Sequence, residues 1–116
     1  MPINDSNEPP VECSRSEAIA IGIAWVIASH VAVCFASVIF LTVVRGATGF
    51  WTGLVIAAMS WTVFPFVQLL AGHVCGSLAH RLFADSTISV SRATQVFAVL
   101  FEFNLFAWVV VLSLIG

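Results

Sequence analysis

The sequence predicts an all-α integral membrane protein that crosses the bilayer with three transmembrane helices. Apolar residues make up 60% of its 116 residues, against roughly 45–50% in a typical soluble domain. Charged residues make up only 9%, whereas a soluble domain carries about 25% and uses them to coat its surface. The apolar residues form unbroken runs, which excludes the alternating segments of about 10 residues that barrel strands show. We therefore expect helical spans with a surface covered by lipid.

The first 17 residues form a polar tail. Residues 1–17 contain three prolines and four acids, and Arg15 is their only basic residue. Such a composition cannot bury apolar surface by itself, so the tail orders only against a partner. It also lacks the basic start of a signal peptide, and we expect the first helix to remain as an anchor. Ser16, followed by Glu17, is the predicted N-cap of that helix.

Residues 18–116 form the predicted three-helix transmembrane domain. Its helices are expected at residues 18–44, 50–83 and 94–115. A short turn containing Gly46 and Gly49 would join the first two helices as a hairpin. As one helix, residues 50–83 would be about 50 Å long, which exceeds the roughly 30 Å hydrocarbon core. The excess predicts a tilt, a kink near Pro65 or, as we favour, a second helix that protrudes on the inner side.

The arginines predict an orientation. Arg15, Arg81 and Arg92 share one side of this topology, while Arg45 lies on the other. The positive-inside rule then places the N-terminus inside and the C-terminus outside, as in a bacterial inner membrane. The formal net charge of −2 and the absence of lysine leave no basic face for nucleic acid.

Small residues recur at helical spacing on the first and second predicted helices. On the first helix, alanines repeat every four residues, at Ala20, Ala24, Ala28, Ala32 and Ala36. On the second helix, Gly72 and Gly76 repeat the same spacing. Membrane helices approach closely where small residues line up, because no hydrophobic effect separates a neighbouring helix from lipid. We predict that these are packing surfaces, and that the protein is a hetero-oligomer with other membrane subunits.

Glu102 is the sharpest functional candidate, since it lies within the third apolar run. An ionisable group at that depth costs a few kcal/mol unless it is paired or neutralised, and by default it marks a functional site or an interface. By counted rise, His30 and Gln68 come within roughly 7 Å of its depth. An intramembrane cluster of these three residues is therefore expected. It would serve either a functional role or a structural hydrogen-bond network.

His73 and His80 are two helical turns apart and therefore lie on one face of the second helix. A bis-histidine haem needs ligands at similar depth, and His30 and His73 differ by about 20 Å. A haem b at His73 would therefore take its second ligand from a partner subunit. The sequence contains no metal motif, phosphate loop or nucleophile triad. We predict no catalytic residue and no metal ligand, and no enzyme activity by the chain alone.

Part of the chain resembles a known family. Cys75 and Gly76, followed by the His80-Arg81-Leu82-Phe83-Ala84-Asp85 stretch, Ile88 and Val90, are similar to the end of the second helix in the small anchor subunit of fumarate reductase. Related succinate dehydrogenase anchors carry a histidine, another seven residues later and then an aspartate, which here are His73, His80 and Asp85. Ala79 stands where that family has an arginine. The resemblance implies a subunit that holds a soluble flavin and iron–sulfur pair at the inner end of the second helix and helps to form a quinone pocket.

A second resemblance leaves the complex open. Val67-Gln68 and His73-Val74-Cys75 are similar to the second helix of the small three-helix subunit of bacterial quinol oxidases, with one residue inserted. Our first hypothesis is a non-catalytic membrane-anchor or accessory subunit of a respiratory, quinone-linked complex. The alternative is a small homo-oligomeric channel or proton-coupled transporter that uses Glu102.

Overall fold

The computed structural model describes residues 14–63 and 65–115, and these form an all-helical fold with no strand among them. The helices are α1 (Arg15–Thr62), α2 (Pro65–Phe83) and α3 (Val90–Ile115). The predicted all-α class is therefore confirmed. Most of the predicted polar tail, residues 1–13, lies outside the described residues.

The N-cap of helix α1 lies two residues earlier than predicted. Ser14 is the N-cap, and its hydroxyl accepts a hydrogen bond from the Glu17 backbone N–H at 3.1 Å. In return, Glu17 Oε1 accepts from the Ser14 backbone N–H at 3.2 Å. This reciprocal capping box satisfies two of the free N–H groups at the helix end. The expectation for Ser16 was wrong because a capping box needs its acid three residues after the cap.

Gly46 divides α1 into two arms, residues 15–45 and 47–62. Its φ of 66° and ψ of −142° are non-helical, and only glycine adopts such a conformation without strain. The second arm folds back on the first: a Cβ built on Gly53 would lie 3.0 Å from Val38 Cα. The predicted hairpin is thus present, but a single non-helical residue makes the turn that we expected across residues 45–49.

The second predicted helix, residues 50–83, is interrupted before Pro65. The second arm of α1 ends at Thr62 and α2 starts at Pro65. Proline has no N–H to donate, and its ring clashes with the carbonyl four residues earlier, so the helix cannot run through it unbroken. The break divides the segment into two shorter helical pieces, so it does not form one continuous long helix.

The C-terminal end of α2 packs against the other two helices, and its protrusion from a membrane stays a prediction. Ala79, near that end, packs in one cluster with Ala18 of α1 and with Val90 and Ala93 of α3, and Phe83 packs against this cluster. The end of α2 is therefore level with the starts of α1 and α3.

Glycine contacts bring α1 and α2 close together. A Cβ on Gly72 would lie 2.5 Å from Ile23 Cα, and one on Gly76 would lie 2.5 Å from Ile19 Cα. A Cβ on Gly22 would meet the Gly72 carbonyl oxygen. Only the absence of side chains at these positions allows the two backbones to touch, as in other small-xxx-small helix pairs.

Helix α3 runs alongside the first arm of α1. It starts at Val90, four residues before the predicted start, because Ser89 caps it by accepting from the Arg92 N–H at 3.3 Å. At the other end of the bundle, Arg45 Nη2 donates to the Ser113 carbonyl at 2.8 Å. Ala18, near the start of α1, packs with Val90 at the start of α3, and Arg45 meets Ser113 at the other end, so the first arm of α1 and α3 are parallel.

Helices α1 and α3 are long and apolar enough to cross a membrane. Helix α2, which carries Gln68, His73, His80 and Arg81, is not among the helices that meet this criterion. Many large apolar side chains on the outside of the bundle are exposed, for example Phe66 at 81% and Val43 at 79%. Water does not favour such a surface, whereas lipid does.

Candidate functional site

The buried polar centre of the bundle is a pair formed by His30 of α1 and Glu102 of α3. His30 Nδ1 lies 2.8 Å from Glu102 Oε1. Glu102 is fully buried and His30 is 5% exposed, so neither side chain has water as an alternative partner. Removal of either partner from a buried pair of this kind is strongly destabilising, because the other group is then left buried and unpaired.

Ser60, in the second arm of α1, continues the network on the other side of the imidazole. His30 Nε2 lies 2.8 Å from Ser60 Oγ, and Ser60 Oγ donates to the Ala57 carbonyl at 2.7 Å. The Trp61 ring packs edge-on against the imidazole, with centroids 4.9 Å apart. The hairpin at Gly46 is what brings Ser60 and Trp61 opposite His30.

One arrangement of protons satisfies all the contacts of this network. When the Ser60 hydroxyl donates to the Ala57 carbonyl, His30 Nε2 donates to Ser60 Oγ. The short contact between His30 Nδ1 and Glu102 Oε1 then holds one proton. With that proton on nitrogen the pair is imidazolium and carboxylate; with it on oxygen both groups are uncharged. The pair is neutral overall in either case, which suits an apolar interior.

A cavity of about 270 Å³ lies beside this network. Four polar side chains line it, those of His30, Ser37, Ser60 and Gln68. The remaining wall is mostly aliphatic, with Val33, Ile56, Val67, Leu105 and Val109. Gln68 is 4% exposed, and its Oε1 has no hydrogen-bond partner among the described residues. Glu102 Oε2 is also buried without a partner there. Two buried acceptor oxygens therefore have no partner among the described residues, one in the pair itself and one on the cavity wall.

The structure thus brings His30 and Glu102 into direct contact and places Gln68 on the wall of the cavity that His30 also lines. Ser60 was missed by the sequence analysis, although a signal existed. A hairpin centred on Gly46 sets His30, sixteen residues before it, opposite the residues near position 60. Cys34, whose Sγ lies 3.8 Å from Ser60 Oγ, was missed for the same reason.

His73 and His80 lie away from this centre, at the end of the bundle where α1 begins. Both line a surface depression of about 630 Å³ together with Arg15, Ser77 and Arg81. The two histidines therefore lie on one face of α2, as predicted, and this face lines the depression. Asp85 is exposed in the turn after α2 and is not one of the lining residues.

The predicted alanine stripe is on the outside of the bundle. Ala20, Ala24, Ala28 and Ala32 are exposed and Ala36 is half-buried. The buried positions of the first arm include Ala18, Gly22, Val26 and His30. These are offset by two residues from the alanines, which is about 200° around a helix. Gly72 and Gly76, in contrast, form the contact between α2 and α1 described above.

Among the described residues, no group of three or more histidine, cysteine, aspartate or glutamate side chains is arranged to hold a metal ion. Comparisons of the chain with protein-family models, with curated proteins and with solved structures gave no match. The geometry of the bundle is therefore the basis of the functional argument.

Proposed function

We propose that this chain is a non-catalytic accessory or anchor subunit of a larger membrane complex. The observation that carries the proposal is the uncovered alanine face of α1, formed by Ala20, Ala24, Ala28 and Ala32. The bundle packs its own helices on the opposite face of the same arm. A small-residue face that stays open after the chain has folded is suited to a helix from another subunit.

The membrane setting is supported by the dimensions and the surface of the bundle. The first arm of α1, residues 15–45, is about 46 Å long at 1.5 Å per residue. This length matches a bilayer of roughly 40–45 Å that includes the headgroup regions. Exposed side chains such as Phe35, Ile39 and Leu112 would then contact lipid, with three crossings made by the first arm, by the second arm continued into α2, and by α3.

We further propose that the complex is respiratory and quinone-linked, of the fumarate reductase or succinate dehydrogenase kind, in a bacterial inner membrane with the N-terminus inside. Support comes from the resemblance at His73, His80 and Asp85 and from the placement of both histidines in one depression at the proposed inner end. A soluble partner would dock at that end, and a partner subunit would supply the second ligand of any haem b.

Purification of the tagged chain from its native membranes in a mild detergent tests the subunit proposal. We expect other subunits to co-purify, and a flavin or haem absorbance in the visible spectrum if the complex is respiratory. Ala24→Leu with Ala28→Leu should release the chain from the complex, since the larger side chains fill the open face. Val99→Leu, at an exposed position on α3 rather than on the alanine face of α1, should not. A chain that runs alone, with or without these changes, would contradict the proposal.

The second candidate function is a homo-oligomeric channel or proton-coupled transporter. The buried pair of His30 and Glu102, beside a mostly apolar cavity that His30, Ser60 and Gln68 also line, favours it. Intramembrane carboxylates and histidines of this kind form proton relays in transporters. Reconstituted into liposomes, the wild-type chain should conduct or exchange protons, and Glu102→Gln should abolish the flux. Absence of flux in the wild type, or flux that survives in the variant, would exclude this function.

A further inference from the structure

The proposed subunit role draws on the two histidines of the depression at the end of α2 but leaves its arginines and its serine without a role. Four of its lining residues are basic or can become so: Arg15, His73, His80 and Arg81. No carboxylate lines it, and within residues 14–63 and 65–115 the only ion pair is that of His30 with Glu102. Neither arginine is ion-paired with a described acid, so the lining of this depression carries a local excess of positive charge.

Ser77 supplies a second, independent feature of a binding site. Ser77 lines the depression, and its Oγ is a buried atom with no hydrogen-bond partner among the described residues. A buried hydroxyl without a partner is unfavourable unless a ligand or water satisfies it. An oxygen-rich anion would accept this hydrogen bond as well as those of the guanidinium groups.

The depression also has an apolar side that points to the source of the anion. Val74 and Leu78 line it and are 50% and 44% exposed. From His73 to Arg81 the site extends about 12 Å along α2. Its arginines lie at the level where the bundle ends, so the site runs from the headgroup region into the acyl region of a bilayer. A free phosphate ion would make no use of this apolar side.

We propose that Arg15, Arg81 and Ser77 bind the phosphate of an anionic phospholipid headgroup, with His73 and His80 beside it and the acyl chain against Val74 and Leu78. This site is separate from the alanine face, so it does not depend on the subunit role. It requires only that the bundle lies in a membrane. Arginine is suited to the task because its planar group donates two parallel hydrogen bonds to phosphate oxygens.

The test is a lipid titration of the full chain in a mild detergent, followed by thermal unfolding monitored through the four tryptophans. Phosphatidylglycerol should raise the melting temperature in a saturable manner, and phosphatidylcholine should not. Each arginine removed should weaken the apparent affinity for phosphatidylglycerol by about 5-fold, the equivalent of about 1 kcal/mol per basic residue near a membrane surface. The double variant Arg15→Gln/Arg81→Gln should lose nearly all of the effect.

Arg92→Gln is the matched control, since Arg92 lies at the same end of the bundle but does not line the depression. It removes the same charge and should leave the titration unchanged. Arg15→Lys/Arg81→Lys should retain most of the preference, which separates loss of binding from loss of folding.

Four results would overturn the proposal. The first is equal stabilisation by the two lipids, and the second is an equal loss of binding in Arg92→Gln. The third is full competition by glycerol 3-phosphate, which would indicate a soluble anion as ligand. The fourth is a preference for phosphatidylglycerol that the wild type lacks and that the variant Asp5→Asn/Glu8→Gln/Glu12→Gln shows. This result would mean that the acidic tail, not a lipid, occupies the site in the wild type.

Discussion

His30 Nδ1 and Glu102 Oε1 lie 2.8 Å apart although the two residues are separated by 72 positions in the chain. This contact joins the first arm of α1 to α3 at the buried centre of the bundle. In a membrane, where the surrounding side chains and lipid offer few alternative partners, such an interhelical bond specifies how the two helices face each other.

A double-mutant cycle of His30→Ala and Glu102→Ala should therefore show a coupling energy of about 1–2 kcal/mol, at the upper end for interhelical bonds in membranes. Each single change leaves the other group buried and unpaired, so the double variant should be more stable than the sum of the two changes predicts. Unfolding by heat or by a denaturing detergent measures this. As control, His30→Ala with Thr94→Ala should be additive, because the Thr94 hydroxyl bonds within its own helix. Additivity in the first cycle would show that the pair contributes no specific interaction.

Gly72→Ala should separate α1 from α2. The new Cβ would lie 2.5 Å from Ile23 Cα, and a backbone atom cannot move aside as a flexible side chain can. Overpacking of this kind costs about 1–3 kcal/mol, which a lowered unfolding temperature would report. Ala28→Val adds two methyl groups on the exposed face of α1 and should leave the isolated chain unchanged. A Gly72→Ala variant as stable as the wild type would mean that the helices do not touch there.

Gly46→Ala should strain the backbone of the hairpin without disturbing the packing of side chains around it. No atom within 4 Å would meet the new Cβ, but the φ of 66° is unfavourable for a residue that has one. The expected loss of stability is about 1–3 kcal/mol, as for other residues held in sparsely populated backbone conformations. Thr48→Ala, in the neighbouring exposed helical turn, serves as control and should change little. If both substitutions have equal effects, Gly46 is not the residue that makes the turn.

Gln68→Leu should leave the stability unchanged or raise it, because it removes a buried oxygen that has no described partner and keeps the side-chain volume. Gln68→Ala should lower the stability, since it enlarges the cavity that Gln68 lines. Comparison of the two unfolding temperatures tests this. If Gln68→Leu is also destabilising, Gln68 makes a hydrogen bond that the fold requires. If it is stable but the complex or the proton flux is lost, the amide serves function at the expense of stability.

Counting residues along the sequence was sufficient to place His30 and Glu102 at similar depths, because helical rise is constant. It could not show whether their side chains face each other, since the rotation of each helix depends on packing that involves the whole bundle. The close approach at Gly22, Gly72 and Gly76 sets that rotation. Only Gly72 and Gly76 were recognised from their spacing.

Two further features, one of α1 and one of α2, could not be predicted from the sequence because they depend on packing between helices. Two faces of α1 carry small residues, one at Ala18 and Gly22 and the other at Ala20 and Ala24, and the spacing alone does not say which face the chain fills with its own helices. For residues 50–83, tilt, kink and protrusion all relieve the excess length. The break at Pro65 follows from the proline itself, but the level at which α2 ends relative to α3 depends on how Ala79 packs against Val90, a contact that no local pattern encodes.

The connection between His30 and Glu102 also bears on the order in which the chain is made. His30 and Ser60, which face each other in the folded chain, both precede Glu102 in the order of synthesis. If the hairpin forms first, α3 meets a partner for its carboxyl group that is already in place, and the earlier helices then act as an internal receptor for the last one.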